Sequence, residues 1–303
     1  MVGHLQSENR LLRDIEAEYA EVFARDVDRA ASALVECDGV LITAGAGMGV
    51  DSGLPDFRGA EGFWRAYPGL ADAGIRFEDI ADPASFTENP TRGWGFYGHR
   101  LALYRETNPH AGFQILKSWA AASPLGAFIV TSNVDGQFQK AGFSDDEIWE
   151  IHGSIHRLQC IEPCSHRVWP ATDIKPVVDE TVLAMTSPMP HCPHCGSLAR
   201  PNILMFNDFG WVNRIANVQR LRFDEWLSDV GRVAIIEIGA GTAIPSIREM
   251  GQRILARKQG NLIRINRREP DVDRNQDIGL KCGALNALRA IDAAIAEKLG
   301  RST

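Results

Sequence analysis

Four of the six cysteines fall in two close pairs, Cys160 with Cys164 in "CIEPC" and Cys192 with Cys195 in "HCPHCGS". In an intracellular chain such pairs favour a metal over disulfides, and four thiolates on two knuckles suit one tetrahedral Zn2+. A closed sulfur shell leaves no position for water, so a structural ion is expected rather than a catalytic one. His166, His191 and His194 stand nearby as substitute ligands. Reduced, unligated cysteines are the bland alternative. A second concentration of chemistry lies in "TAGAGMGVDSGLPDFRG", residues 43–59, which holds five glycines and then ends in Pro-Asp-Phe-Arg. Small residues let a ligand touch backbone, and a glycine-rich turn entering a helix presents N–H groups to phosphate. Gly45 and Gly47 open a Gly-x-Gly, but Val50 stands where the dinucleotide fingerprint needs its third glycine. A plain Rossmann dehydrogenase is therefore weakly supported.

These residues need elements to carry them. The glycine loop leaves a short apolar run at 39–43, which reads as a buried strand. The same design recurs in "GAFIVTSNVDG" (126–136), more briefly in "EIWEIHGS", and again in "RVAIIEIGAGTAIP" (232–245). "NLIRINR" (261–267) reads as the last such strand. Helical patterns lie between: 8–37 holds one or two helices, and 285–299 lines Leu285, Leu288, Ile291, Ile295 and Leu299 along one face. Strands alternating with helices predict an α/β fold, a doubly wound, Rossmann-like parallel sheet. Ligands of such sheets sit at the carboxyl ends of the strands, where every polar loop named above emerges.

Two segments break the alternation. Residues 60–110 are rich in aromatics and look helical with loops; 156–205 are rich in Pro, Cys and His with little periodicity. Both read as insertions that build a smaller helical and zinc-binding lobe. The expected organisation is an N-terminal helical extension over 1–29 and a catalytic domain over 30–303. Its large lobe covers about 30–59, 111–155 and 206–303, and its small lobe about 60–110 and 156–205. A net charge of −7 offers no basic surface of the kind nucleic-acid binders use, so no direct nucleic-acid partner is expected. The charged N-terminus lacks a signal peptide's apolar core, and no apolar run is long enough for a membrane helix. No membrane partner and a cytoplasmic location are expected.

At this point the motifs match a family. "GAGMGVDSGLPDFRG" resembles the sirtuin signature, and six further elements follow in the family's order: "TSNVD" (131–135), "IHGS" (151–154), the cysteine pairs, "RPNILMFND" (200–208), "IGAGTAIP" (238–245) and "IN" (265–266). The resemblance covers about residues 30–290. It implies an NAD-dependent protein lysine deacylase, with acylated lysine side chains of proteins as substrates and one structural Zn2+. In that family the nicotinamide–ribose bond of NAD breaks as the acyl-lysine oxygen attacks the ribose, giving nicotinamide and O-acyl-ADP-ribose.

The resemblance also assigns roles. His152 would be the general base; an imidazole suits this because its ordinary pKa lies near neutrality. Asn133 and Asp135, with Ser132 beside them, would hold the nicotinamide amide and ribose. Gly45, Ala46 and Gly47 would line the cofactor, Phe57 would screen the sugar from water, and Asp56 and Arg58 would supply polar contacts. Gly239, Ala240 and Gly241 would approach the ribose and phosphates, Asn266 the adenosine ribose, and Cys282 the adenine. The rival readings are ordinary: a hydrogen-bonded strand-end histidine, a surface ion pair at Asp56 and Arg58, turn formers at Asn133 and Asp135, and a core cysteine at Cys282.

Tyr97 and Arg100 lie three apart, on one helical face, and resemble the Tyr-x-x-Arg of sirtuins that prefer succinyl- or malonyl-lysine. There the guanidinium pairs with the distal carboxylate. The alternative is a core aromatic beside a solvated arginine. Several positions depart from the family pattern: Met48-Gly49 in place of Ile-Ser, Ser132 in place of glutamine, a "GAGTAIP" segment one residue short, and Asn207-Asp208 in place of Gly-Glu in the loop expected to pair with substrate peptide. Two other functions stay open at this stage: an NAD glycohydrolase or ADP-ribosyltransferase, and a non-catalytic zinc module that binds NAD or ADP-ribose.

Overall fold

The computed structural model describes residues 2–56 and 59–300, with side chains from residue 16 onward except those of 59–62. Phe57 and Arg58 lie outside the described residues. The strands, in chain order, are β1 (Gly39–Ala44), β2 (Ala127–Thr131), β3 (Ile148–Glu150), β4 (Gly153–Cys160), β5 (Trp169–Pro170), β6 (Val178–Asp179), β7 (Ala184–Met185), β8 (Ala199–Ile203), β9 (Arg232–Ile238), β10 (Gln259–Ile265) and β11 (Ile278–Leu280).

Six of them form the main sheet in the order β11-β10-β9-β1-β2-β3, and every neighbouring pair is parallel. The chain runs outward from β1 through β2 to β3, then returns to start again at β9 and runs the other way. The switch point therefore lies between β1 and β9, where a doubly wound sheet opens its crevice. The central strands are buried on both faces, so they read as continuous apolar runs. Alternate residues serve opposite layers. Val40, Ile42, Ala234 and Ile236 pack under the helices Val2–Val35, Gly112–Ala122 and Ala284–Lys298. Leu41, Phe128, Val233 and Ile235 meet Phe223 and Ile247 from the helices Arg214–Asp229 and Ser246–Leu255.

The edge strand β11 corrects the expectation that 261–267 is the last strand. Only three residues long, and set among charged neighbours, it has too little apolar length to stand out from loop. The expected helical patterns at the two ends form, the first as a single helix.

A separate apolar cluster gathers Phe63, Tyr67, Phe86, Trp94, Phe96, Tyr97 and Leu101 with Ile155, Leu158 and Met185. Its centre is the helix Pro90–Glu106, entered through Asn89, whose side chain accepts from the Arg92 N–H. The Pro- and Cys-rich segment, aperiodic in sequence, contributes a three-stranded antiparallel sheet, β5-β4-β8.

The sheet also carries a buried ion pair. Arg264 of β10 lies directly opposite Glu237 of β9, and their side chains meet at 2.6 Å with 5% and 1% exposure. Removing one partner of such a pair strands a charge in the interior. Arg264→Met is expected to lower unfolding stability by about 3–5 kcal/mol in denaturant titrations.

Candidate active site

At the switch point two glycine loops pack backbone against backbone. The Gly45 and Gly47 N–H groups donate to Ile238 O (2.9 Å) and Gly239 O (3.1 Å). A Cβ on Gly47 would stand 2.6 Å from Gly239 Cα, and one on Gly239, whose φ is +64°, would stand 2.4 Å from the Gly47 backbone. Glycine is required here for one loop to touch the other. The sequence suggested ligand contact as the reason for these glycines; the primary reason is this internal one. The loop then makes two short 3₁₀ turns, Ala46–Met48 and Val50–Ser52, and Gly53 ends them at φ +88°.

The loop after β2 is bonded to the same place. Ser132 N–H donates to Ala44 O at 3.0 Å, and Asn133 Nδ2 donates to Gly45 O at 3.0 Å. Asp135 is buried and accepts from the Gln137 N–H at 2.9 Å; burial raises its carboxyl to about 6, against the opposing pull of Arg100. His152 sits at the corner between β3 and β4. Its neighbour Ile151 donates to Thr131 O, and its own carbonyl accepts from the Leu204 N–H at 2.9 Å. Gly153 (φ +76°) follows because a Cβ there would meet Asn202 O at 2.1 Å. The partly buried His152 ring lies beside the Ser132 main chain, and desolvation lowers its pKa. Ser132 thus contributes chiefly through its main chain; its hydroxyl is directed at Ala44 O, 3.4 Å away.

Beyond β9, Ala240 O accepts from Asn266 Nδ2 (2.9 Å) and from both Nε and an Nη of Arg248. Asn266 Oδ1 accepts in turn from the N–H groups of Arg268 and Glu269. The Asn266 amide therefore shapes the 239–241 loop. Cys282 is partly buried just past β11, and burial pushes its thiol up to about 11. Asp56 lies, half-buried, where the glycine loop ends.

Gly45, Ala46, Gly47, Ser132, Asn133, His152, Gly239 and Ala240 are thus drawn to the carboxyl edge of four neighbouring strands, β9, β1, β2 and β3. Tyr97 and Arg100 lie on one helix of the aromatic lobe, and Arg100 is not the solvated residue of the alternative reading. It is buried, donates to the Tyr104 hydroxyl at 3.0 and 2.7 Å, and lies 5.1–5.7 Å from the centres of the Phe96, Tyr97 and Tyr104 rings. Tyr97 stacks on Phe86 and is 1% exposed, so it meets the guanidinium with its ring face. The i,i+4 partner takes the hydrogen bonds because the i,i+3 residue is committed to the core. Asp208, in the loop expected to pair with substrate peptide, is ion-paired to Arg200 at 2.7 Å with both side chains fully buried.

Two contributors carried no signal in the sequence. Asp51 accepts from Leu285 N (2.8 Å) and Arg267 (2.9 Å), so it ties the glycine loop to the start of the last helix. His156 reaches Asp135 O at 2.8 Å and fills the space a Cβ on Gly136 would need. Both act across long stretches of chain, so local spacing is silent about them.

The four cysteines do converge. Their sulfurs all lie within 4.8 Å of one another, with Cys160–Cys195 at 3.6 Å and Cys164–Cys192 at 3.7 Å. A tetrahedron with metal–sulfur bonds of about 2.3 Å has edges of about 3.8 Å. The separations fit that ion and are far longer than a disulfide bond. His191 is committed to Gly196 O at 3.0 Å. Elemental analysis of protein purified without chelator is expected to give about one zinc per chain, and Cys192→Ser to lose it.

Comparison with known proteins agrees with this arrangement. The model of the Sir2 family matches residues 45–224. An NAD-dependent protein deacylase of Aquifex aeolicus is 26% identical over 86% of this chain and 97% of its own length. One from Leptospira interrogans (serovar copenhageni) is 32% identical over 62% of this chain and 68% of its own. A Sir2 homologue solved with NAD superposes with a TM-score of 0.64 at 20% identity, covering 89% of this chain and 93% of that one. A Sir2 protein bound to acetylated peptide gives 0.63 at 20% identity, covering 89% and 97%. With its glycine loops joined at the switch point and four cysteines in one cluster, the chain belongs to the Sir2 family.

Proposed function

We propose that this protein is an NAD-dependent protein-lysine deacylase with one structural zinc. The observation that carries this reading is that the 45–53, 132–135 and 239–241 loops are bonded together at the carboxyl edge of the sheet, where His152 follows β3. The homologues named NAD-dependent protein deacylase support it. NAD, when bound, supplies a glycosidic carbon that becomes electrophilic as nicotinamide leaves. His152, kept neutral by desolvation at the strand edge, offers a ring nitrogen to take a hydroxyl proton. Asn133 and Asp135 hold the amide and ribose in a pocket walled by small residues. The segment from Gly45 to Asp56 covers the cofactor and excludes water. Gly239, Ala240 and Gly241 border the phosphates on a loop that Asn266 holds in shape, and Cys282 borders the adenine. The substrate enters between a large lobe over about 30–59, 111–155 and 206–303 and a small lobe over about 60–110 and 156–205.

For the acyl group we assign Arg100, with Tyr104 rather than Tyr97 as its hydroxyl partner. A guanidinium kept among aromatic rings is suited to a distal carboxylate. Acidic acyl groups are then the preferred cargo.

The test is to incubate the protein with NAD and acetyl-, succinyl- or unmodified lysine peptides while following nicotinamide and peptide mass together. Nicotinamide release is expected only with acylated peptide; equal release without peptide would mark a glycohydrolase instead. His152→Ala is expected to slow this release by roughly 10²–10⁴-fold while zinc content and folding persist. Because desolvation lowers the His152 pKa, the neutral base survives below the usual histidine range, so kcat/KM is expected to hold from pH 8 through the ordinary histidine pKa of about 6.5 and to fall only below it. Asp135, at about 6, protonates nearby, so the acid limb retained in Asp135→Asn identifies the contribution of His152. Arg100→Met is expected to cut desuccinylation at least roughly tenfold more than deacetylation; equal losses would remove the acidic-acyl assignment.

A further inference from the structure

We infer that His110 is a positioning residue for the glycine-rich loop, and that it acts as the neutral imidazole with its proton on Nε2. It stands between the helices Pro90–Glu106 and Gly112–Ala122, remote in sequence from the loop it touches, and is 8% exposed. Two of its groups reach that loop. Its main-chain N–H donates to Ser52 Oγ at 2.9 Å, and its ring Nε2 lies 3.1 Å from Met48 O. On the other side of the ring, the Gly112 N–H donates to Nδ1 at 3.0 Å.

The tautomer follows from these partners. Met48 O can only accept, so Nε2 must carry a proton; the Gly112 N–H can only donate, so Nδ1 must offer a lone pair. A second proton on the ring would set two donors face to face at Gly112. Burial and the nearby Arg289 lower the pKa of His110, with Asp51 opposing them, which keeps the ring neutral near physiological pH. Phe113 packs on the ring at 5.0 Å between centres and leaves it little room to turn.

Met48 and Ser52 are the last residues of the two 3₁₀ turns. His110 therefore grips both turns of one loop, while the Gly47–Gly239 contact holds the loop at its start and Asp51 holds its middle. The backbone is thus fixed before any ligand arrives, and a ligand that uses it does not have to order it. For NAD this rests on the function proposed above. The stated consequence is tighter cofactor binding with little effect on the chemical step.

Two substitutions separate the parts of this claim. In His110→Gln the amide nitrogen can still reach Met48 O, whereas in His110→Asn the shorter amide can serve Gly112 but not Met48. Hydrogen exchange of the 46–53 amides, measured on zinc-loaded full-length protein without NAD, should speed up roughly tenfold in His110→Asn and stay within about threefold of wild type in His110→Gln, the change expected for one buried hydrogen bond. In peptide-dependent nicotinamide release, KM for NAD should rise roughly tenfold in His110→Asn with kcat within about threefold, and His110→Gln should restore it. Unchanged loop exchange in His110→Asn, or a fall in kcat at constant KM, would overturn the assignment. Should wild-type protein release no nicotinamide, the deacylase reading fails by itself, and the exchange rates alone decide the role of His110.

Discussion

The constraint on which the site depends is the contact between the loops after β1 and β9. Two neighbouring parallel strands deliver their chains to the same point, and the chains must then diverge without a gap or a clash. Glycine at 45, 47 and 239 lets the backbones touch, and the bonds to Ile238 O and Gly239 O make that contact directional. Everything else at the site is referenced to this junction. Asn133 donates to Gly45 O and Ser132 to Ala44 O, and the strand that leads to His152 is tied to the same edge through the Ile151 N–H and Thr131 O. An error at the glycine junction would therefore move the base together with the pocket.

The charges near this edge are arranged differently from those on an ordinary surface. Glu237 and Arg264 are buried within the sheet, Arg248 reaches from the helix Ser246–Leu255 to Ala240 O, and Arg200 with Asp208 fixes the turn after β8. Buried pairs of this kind add little net stability, because desolvation cancels most of their attraction. Their directionality is what suits them here: a guanidinium bonded to a carbonyl sets a loop's path in a way that apolar packing cannot. The glycine loops have almost no side chains to pack, so polar ties from outside take over that task.

The aromatic lobe follows another logic. Its rings meet edge to face or stacked at 5–6 Å, which gives a stiff wall, and the cysteine cluster closes the far end with metal ligands instead of a large core. Arg100 is the exception within it. Its charge is spread over three ring faces and a phenol oxygen, so a cation persists where most side chains are apolar.

Read alone, the residue order determined the alternation of strands and helices, the loops at the strand ends, and the cysteine knuckles, because each depends on neighbours a few positions apart. It also carried the family's motifs in series, and so His152 and Asn133. The edge strand β11 escaped notice because three residues show no period, and the antiparallel sheet around β4 because its partners lie far apart in the chain. Tertiary structure alone decided that the glycines serve a loop–loop contact, that Arg100 bonds Tyr104 rather than Tyr97, and that Asp208 pairs with Arg200. It likewise brought Asp51, His110 and His156 to the site. These are relations between groups distant in sequence, and only a folded chain fixes which donor meets which acceptor once water is excluded.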